Sequence, residues 1–333
     1  MFRHGIARWN TWLVLLLCAV AAPEAHALAS YCVGTQSAFV AALDAAETDN
    51  DDSRINLRTG VYEFVDDAYY TPSQSVRPRE GRLIIEGGYG ANCTTRTNDA
   101  RSTTLRGDGH ATIRLSPWRG SIEVRSLGFD GVSLAAFGPT SGDPCLASGL
   151  VFDVTRVRMN HGMIRLASKC HDITLRDTLL TNGYANDFHY TFDTALDVYL
   201  VQDTDVADPA TLTLIGVTVA EGYTNLMAGS ARTGAVSLYN SIFRRSGIDL
   251  RAAGVNVYAR NNRYDRIAFQ DGALVLGSSG NTSADPDLDA DYRPNPGSPM
   301  VDSGTAGVPN GLGLLDLFAG ARVVGAGVDR GAL

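Results

Sequence analysis

The feature that most constrains this 333-residue chain is an eight-residue pattern, apolar at positions one, three, six and eight, that keeps returning along it. It reads Ile122, Val124, Leu127, Phe129; Phe152, Val154, Val157, Met159; Ile173, Leu175, Thr178, Leu180; Leu212, Leu214, Val217, Val219; and Val236, Leu238, Ser241, Phe243. A degenerate copy follows at Val257, Ala259, Asn262 and Tyr264, and "INLRTGVY" sets Ile55, Leu57, Gly60 and Tyr62 in the same frame near the start. Alternation within each pair is the period of a strand, and the slip between the pairs turns the chain through a corner. The closing positions 62, 129, 159, 180, 219, 243 and 264 are spaced by 67, 30, 21, 39, 24 and 21, which fits a base period of about 21 to 24 with 67 as three turns. A unit this short buries one face only and needs a neighbour above and below, which is the logic of a solenoid. Helical spacing is confined to "SAFVAALDAA", where Phe39, Val40 and Leu43 share one side and a helix would close an end of the stack.

The flanks bear on compartment. Residues 1–27 combine Arg3 and Arg8, the apolar run "WLVLLLCAVAA" and a small-x-small site at Ala25-His26-Ala27, the layout of an export signal, so the mature chain is expected to begin at Leu28. A lipid anchor on Cys18 is disfavoured by the bulky Leu17 before it. No later run spans a membrane, since "GLGLLDLFAGARVVGAGV" is broken by Asp316 and Arg322. Losing the leader takes Lys+Arg from 28 to 26 and Asp+Glu from 36 to 35, a net charge of −9, which argues against nucleic acid as a partner. Four cysteines remain, Cys32, Cys93, Cys145 and Cys170, an even number without CxxC spacing, favouring disulfides over a metal site. The expectation is a monomer in the periplasm or outside the cell.

These residues resemble a family: bacterial right-handed parallel β-helix repeat proteins of the pectin-lyase-like superfamily. The closing stretches "DPDLDADYRPNPGSPMVDSG" and "DLFAGARVVGAGVDRGA" look like the final segment of choice-of-anchor Q proteins, as do "INLRTGVYEF" and "LIIEGGYGANC" near the start. The resemblance implies an all-β single domain: a cap over 28–53, β-helix turns over 54–283 and an irregular cap over 284–333. In such a solenoid Cys145 and Cys170, 25 residues apart, sit about one turn from each other. Turns stack ~4.8 Å apart, so these two should pair, which leaves Cys32 with Cys93.

Chemistry is expected where the spacing is in excess. The 39-residue step from Leu180 to Val219 predicts that about Tyr184 to Asp208 leaves the stack as a loop, with a smaller excess around "AAFGPTSGDPC" beside it. The loop's Tyr184, Asp187, His189, Tyr190 and Asp193 have the rings and carboxylates that suit binding a sugar polymer. Beneath it, Glu123, Arg125, Asp153, Arg156, Arg158, Arg176 and Asp177 read as an outward mixed-charge patch. In the superfamily a polysaccharide lies across such a face, and lyases use a basic residue as the base, so the resemblance makes Arg158 and Arg176 the candidate catalytic residues. No cofactor is required; calcium is the one the carboxylates would suit, with Asp153, Asp187 or Asp193 as oxygen ligands. The plainer reading of the same charges is ion pairing between turns. No GxSxG, HExxH, phosphate loop or polygalacturonase set is present. The sequence therefore points to an exported binder of extended glycans or of an envelope partner, with a β-eliminating uronide lyase and a structural or adhesive solenoid as the alternatives.

Overall fold

The computed structural model describes residues 28–49, 51–72, 81–117, 120–139, 145, 149–183, 194–200, 210–228, 234–251, 255–270 and 274–333. Its strands are β1 Ala29–Val33, β2 Ser53–Arg58, β3 Gly60–Glu63, β4 Ala68–Tyr70, β5 Arg82–Tyr89, β6 Thr103–Leu115, β7 Ser121–Phe137, β8 Leu150–Asn160, β9 Ile164–Ser168, β10 His171–Thr181, β11 Thr194–Leu200, β12 Leu212–Val219, β13 Tyr223–Ala228, β14 Ala235–Tyr239, β15 Ile242–Arg251, β16 Asn256–Arg260, β17 Arg263–Gln270 and β18 Leu274–Ser279. One helix, α1 Gln36–Thr48, accompanies them. All 18 strands join one sheet, and every strand pairing is parallel.

The repeat sets the register. Ile122, Phe152, Ile173, Leu212, Val236 and Val257 are successive partners, and so are Phe129, Met159, Leu180, Val219, Phe243 and Tyr264. Leu212, Leu214, Val217 and Val219 are all buried over the equally buried Val236, Leu238, Ser241 and Phe243. Position five of each copy is the corner: Ser126, Arg156, Asp177, Gly216, Asn240 and Asn261 all have φ between 48° and 60°. A single left-handed residue redirects the strand without breaking the ladder on either side. Polar residues at position six serve the corner backbone. The Val217 amide donates to Ser241 Oγ at 3.1 Å, the Ser241 amide to Asn262 Oδ1 at 3.0 Å and the Asn262 amide to Asn281 Oδ1 at 2.9 Å. The degenerate copies are thus hydrogen-bonded where the others are apolar.

Two expectations are corrected. The eight-residue pattern sees two strands per rung, but a third follows a second corner at His161 and Asn182, and its inward residues Ala136, Leu166, Val198, Leu226 and Leu250 are successive partners in the same core. Residues 194–200, expected to leave the stack with the rest of 184–208, are therefore part of the sheet as β11, and Ala135–Phe137 of "AAFGPTSGDPC" belong to β7. The third strand is short and follows no fixed interval, so its length was misread as insertion. The 67-residue interval is two rungs, not three, because Tyr62 pairs with Leu105 and Leu105 with Phe129 while residues 90–102 run outside the strands.

At the start of the stack β1 pairs in register with β2, and α1 lies against β1, β2 and β4. Thr35 begins the helix by accepting from the Ala38 amide at 3.2 Å. Phe39, Ala42, Leu43 and Ala46 are buried, with Phe39 edge-on to Phe64 at 6.0 Å and Val40 partly covered. Cys32–Cys93 and Cys145–Cys170 are both disulfides, with Cα separations of 5.8 and 5.5 Å. Two such bonds fit an oxidising, exported compartment. The leader 1–27 lies outside the described residues, among which no helix is long and apolar enough to cross a membrane.

The register is tested at Val217, which is fully buried. Val217→Asp is expected to destabilise the chain by at least ~3 kcal/mol in urea titration, because an unpaired carboxylate would be left inside the stack. An unchanged midpoint would refute the inward assignment.

Candidate functional site

The outward charges of the first strands are used up among themselves. Glu86 and Glu123, one rung apart on β5 and β7, are almost fully buried although they point away from the core. Arg96 reaches Glu86 at 3.3 Å, Arg82 reaches Glu123 at 3.1 Å, and Arg125 contacts both carboxylates and, at 3.7 Å, Asp153. The Tyr89 hydroxyl donates to Glu86 at 2.8 Å. This is the plainer reading made concrete: guanidinium and carboxylate groups alternate along the sheet and leave neither sign spare. Asp153 is also held by the Thr155 hydroxyl at 2.6 Å. Among the described residues no group of three or more His, Cys, Asp or Glu is placed to hold a metal ion.

Past the corner the situation differs. A cleft of about 170 Å³ opens on the outward face of β6, β7 and β8, lined by Ala100, Arg101, Thr104, Arg106, Gly128, Phe129, Asp130, Arg158 and Asn160. Two rows floor it, Thr104–Gly128–Arg158 and Arg106–Asp130–Asn160, each stepping one rung per residue. Gly128 keeps the floor low, since a Cβ there would meet the Ala100 carbonyl and Thr104 Oγ1 at 3.1 Å. Arg101 is held by Asp99 at 2.7 Å, Arg106 lies 3.5 Å from Glu63 and 3.6 Å from Asp130, and Asn160 donates to Asp130 at 2.9 Å. Arg158 has no hydrogen-bond or ion-pair partner among the described residues. Of the three guanidinium groups lining the cleft, those of Arg101 and Arg106 are matched by Asp99, Glu63 and Asp130, and that of Arg158 is left without a carboxylate among the described residues.

Residues 284–333, expected as an irregular cap, run along the same face over the later rungs. Arg330 donates to the Ser303 and Asn262 carbonyls, Asn240 and Asn261 donate to the Thr305 and Ser303 carbonyls, and the Ala332 amide donates to Thr218 Oγ1 at 3.0 Å. Leu179, the residue after Arg158 in its row, is covered by Leu317, Phe318 and Ala332. Phe318 is clasped between the guanidinium groups of Arg101 and Arg293 at 4.1 and 5.2 Å, and the Ala100 amide donates to the Leu317 carbonyl.

Beneath this segment lies a buried ion pair, Arg322 Nε to Asp177 Oδ1 at 3.2 Å, both side chains 1% exposed. Neither Asp177 oxygen accepts a well-directed hydrogen bond. Burial therefore dominates, pushing the carboxyl up to about 7 against the pull of Arg322, Arg176 and Arg156. Gly216, the next corner, is the residue that leaves room, since its Cβ would fall 2.7 Å from Arg322 Nη2 and 2.9 Å from Asp177 Oδ1. His171 is the second buried titratable group. It stacks on Phe152 at 4.1 Å, its Nε2 lies 2.8 Å from the Gly120 carbonyl and its Nδ1 2.7 Å from Ser168 Oγ. The carbonyl can only accept, so Nε2 carries the proton and Ser168 donates to Nδ1. Burial holds this imidazole down at about 4.

Of the residues singled out in the sequence, Arg158 lines the cleft, whereas Asp153 and Arg176 do not. Arg176 donates to the Gly311 carbonyl under the C-terminal segment. Glu123 and Asp177, read as outward and available, are buried in ion pairs, because neighbouring rungs and the C-terminal segment cover them. Tyr184, Asp187, His189, Tyr190 and Asp193 lie outside the described residues. Arg101 and Arg106 were missed; Arg106 sits in β6, whose bulge hides the repeat, and Arg101 in a stretch with no periodicity. The chain matches no family model, no curated protein and no solved structure.

Two outcomes follow. Asp177, raised to about 7 from 3.8, favours folding in acid and loses that contribution as pH rises through the window from about 4 to about 7. His171, lowered to about 4 from 6.5, favours folding above 6.5 and loses its contribution as pH falls through 6.5 to 4. The slopes oppose, each up to ~1.4 kcal/mol per pH unit. Asp177→Asn should therefore lose stability steadily on acidification from 6.5 to 4, where the parent chain stays nearly level by thermal melts. Gly216→Ala, at a corner, should cost ~2–4 kcal/mol, and Gly149→Ala, just before β8, only ~1 kcal/mol, since both have positive φ but only Gly216 is crowded. Equal costs in chemical denaturation would exclude the crowding account.

Proposed function

We propose that this chain is an exported right-handed parallel β-helix of the pectin-lyase-like type, and that it binds an acidic glycan, without turning it over, in the cleft around Arg158. The observation that carries this reading is the Arg158 guanidinium, partnerless among the described residues in a cleft that also holds Arg101 and Arg106. On the adjoining face, before the corner, guanidinium groups are matched to carboxylates one rung away. A sugar carboxylate is a planar, two-oxygen anion that a guanidinium fork meets in two parallel hydrogen bonds, and the aliphatic stems of arginine offer apolar surface to a ring. The rows of the cleft repeat at the spacing of the sheet, so an extended chain is matched to them better than a compact ligand. Within the described part of the cleft the one carboxylate, Asp130, is held by Arg106 and Asn160. No nucleophile lies beside a paired base there, which supports binding over hydrolysis.

The lyase reading keeps one observation in its favour, the same Arg158, because an arginine base is the residue that chemistry would need. Calcium belongs to that reading, and Asp153, with Thr155 and Arg125 already on its oxygens, would have to exchange those partners to hold it.

Arg158→Gln decides between these. Binding predicts that affinity for oligogalacturonate falls at least tenfold by calorimetry, ~1.4 kcal/mol or more, with the melting temperature unchanged because the side chain is half-exposed and unpaired. Accumulation of a C4–C5 unsaturated product by the parent chain, abolished in the variant, would replace binding by catalysis. Unaltered affinity would remove the cleft from the function.

A further inference from the structure

The row that floors the cleft does not stop at Arg158. It continues rung by rung through Leu179, Thr218, Ile242 and Arg263, and every one of these outward residues is buried, at 1%, 1%, 0% and 5% exposure. What buries them is the C-terminal segment, through Leu317, Phe318 and Ala332 on Leu179, the Ala332 amide on Thr218 and the Gly331 amide on the Asn240 carbonyl. The other end of the row is open. Val61, the partner of Thr104, is 50% exposed, and Glu63, the partner of Arg106, has a side chain 65% exposed. Among the described residues the row is open toward β3 and closed at Leu179.

We propose that the C-terminal segment makes this a blind groove that receives the end of an acidic glycan chain and excludes its interior, with Phe318 as the residue that holds the wall in place. This rests on the reading of the cleft as a glycan site and adds which part of the polymer enters it. The wall is fixed rather than hinged. Phe318 lies between Arg101 and Arg293, Arg101 is itself held by Asp99 through several hydrogen bonds, and the Ala100 amide donates to Leu317. Arg101 therefore does two things: its guanidinium lines the cleft, and its face anchors the ring that closes it. A polymer lying along the stack would have to displace Leu317 and Phe318 from the buried Leu179 to pass Arg158. A chain end needs no displacement.

The experiment is a length series of oligogalacturonates, followed by calorimetry for affinity and by sedimentation for the number of proteins per chain. End recognition predicts an affinity per chain that stops changing once the cleft is filled, and one protein per chain however long the polymer. Blocking either terminus with a bulky tag should then abolish binding from one end and not the other. Several proteins per long chain, or affinity rising in proportion to length, would overturn the blind groove and leave the cleft reading standing. Absence of binding at every length would instead overturn the cleft reading itself. Phe318→Ala, chosen because it does not line the cleft, should raise the count to several proteins per long chain. If that variant keeps its fold by circular dichroism and still binds one per chain, Phe318 does not hold the wall. Should it fail to fold, the parent chain's stoichiometry still decides the proposal.

Discussion

The left-handed corner is the constraint on which the other features depend. Each rung has to change direction between its first and second strands with one residue, and that residue must adopt a backbone conformation costing roughly 1–2 kcal/mol for anything but glycine. The chain meets this with Gly216 and Gly280, with the more tolerant Asn240, Asn261 and Asp177, and with Ser126 and Arg156. In return the corner side chains are aimed outward in a column, one per rung. That column becomes the docking track for the C-terminal segment: Asn261 bonds Ser303, Asn240 bonds Thr305 in both directions, Gly216 makes room for Arg322 and the Gly331 carbonyl, and Asp177 pairs with Arg322. Ser126 and Arg156, the corners nearer the start, are served by Arg96 and by each other instead. The segment covers the outward face only where the corners offer it partners, and the cleft begins where they do not.

Burial by that segment also explains how a face read as charged and open could hold a group with displaced titration. Asp177 would be an ordinary surface carboxylate if the chain ended after β18. Placed under the C-terminal segment, it makes one ion pair and has no well-directed donor, so the attraction of Arg322, Arg176 and Arg156 does not offset its lost hydration. His171 is a different case. It faces inward at the start of β10 and both nitrogens are hydrogen-bonded, yet both partners suit the neutral ring, so burial wins there as well.

Legibility in the sequence followed periodicity. The first and second strands of each rung recur at fixed offsets around a corner, so Leu212 to Val219 could be laid over Val236 to Phe243 residue by residue, and the one-turn spacing paired Cys145 with Cys170. The third strand has the same physics but a variable distance to its neighbours, with β9 close behind β8 and β11 well separated from β10, so no interval announced it. The C-terminal segment has no interval at all. Its contacts are set by which corners happen to lie beside it, which is tertiary information, and so the burial of Asp177 and the closure at Leu179 could not be read from the chain. Arg158 was legible because it stands at position seven of a clear copy; Arg101 was not, because a non-repeating stretch brings it to the same cleft.

What distinguishes Arg158 is then a question of why its charge is left over. In a stack of parallel rungs an outward residue has natural partners directly above and below, and this chain uses them: Glu123 lies over Asp153 with Arg125 across both, and Asp197 takes Arg165 from one rung and Asn225 from the next. At Arg158 the residue above is Gly128 and the residue below is Leu179, neither of which can answer a charge. A leucine below would ordinarily be exposed, but the C-terminal segment buries it, and a glycine above would ordinarily be filled, but the Ala100 carbonyl and Thr104 occupy the space a side chain needs. The neighbours of Arg158 are therefore fixed by other packing requirements in a way that keeps its guanidinium free. Charge matching between rungs answers many of the outward groups, and at Arg158 neither neighbour in its row can supply a partner, because packing elsewhere has fixed both as uncharged residues.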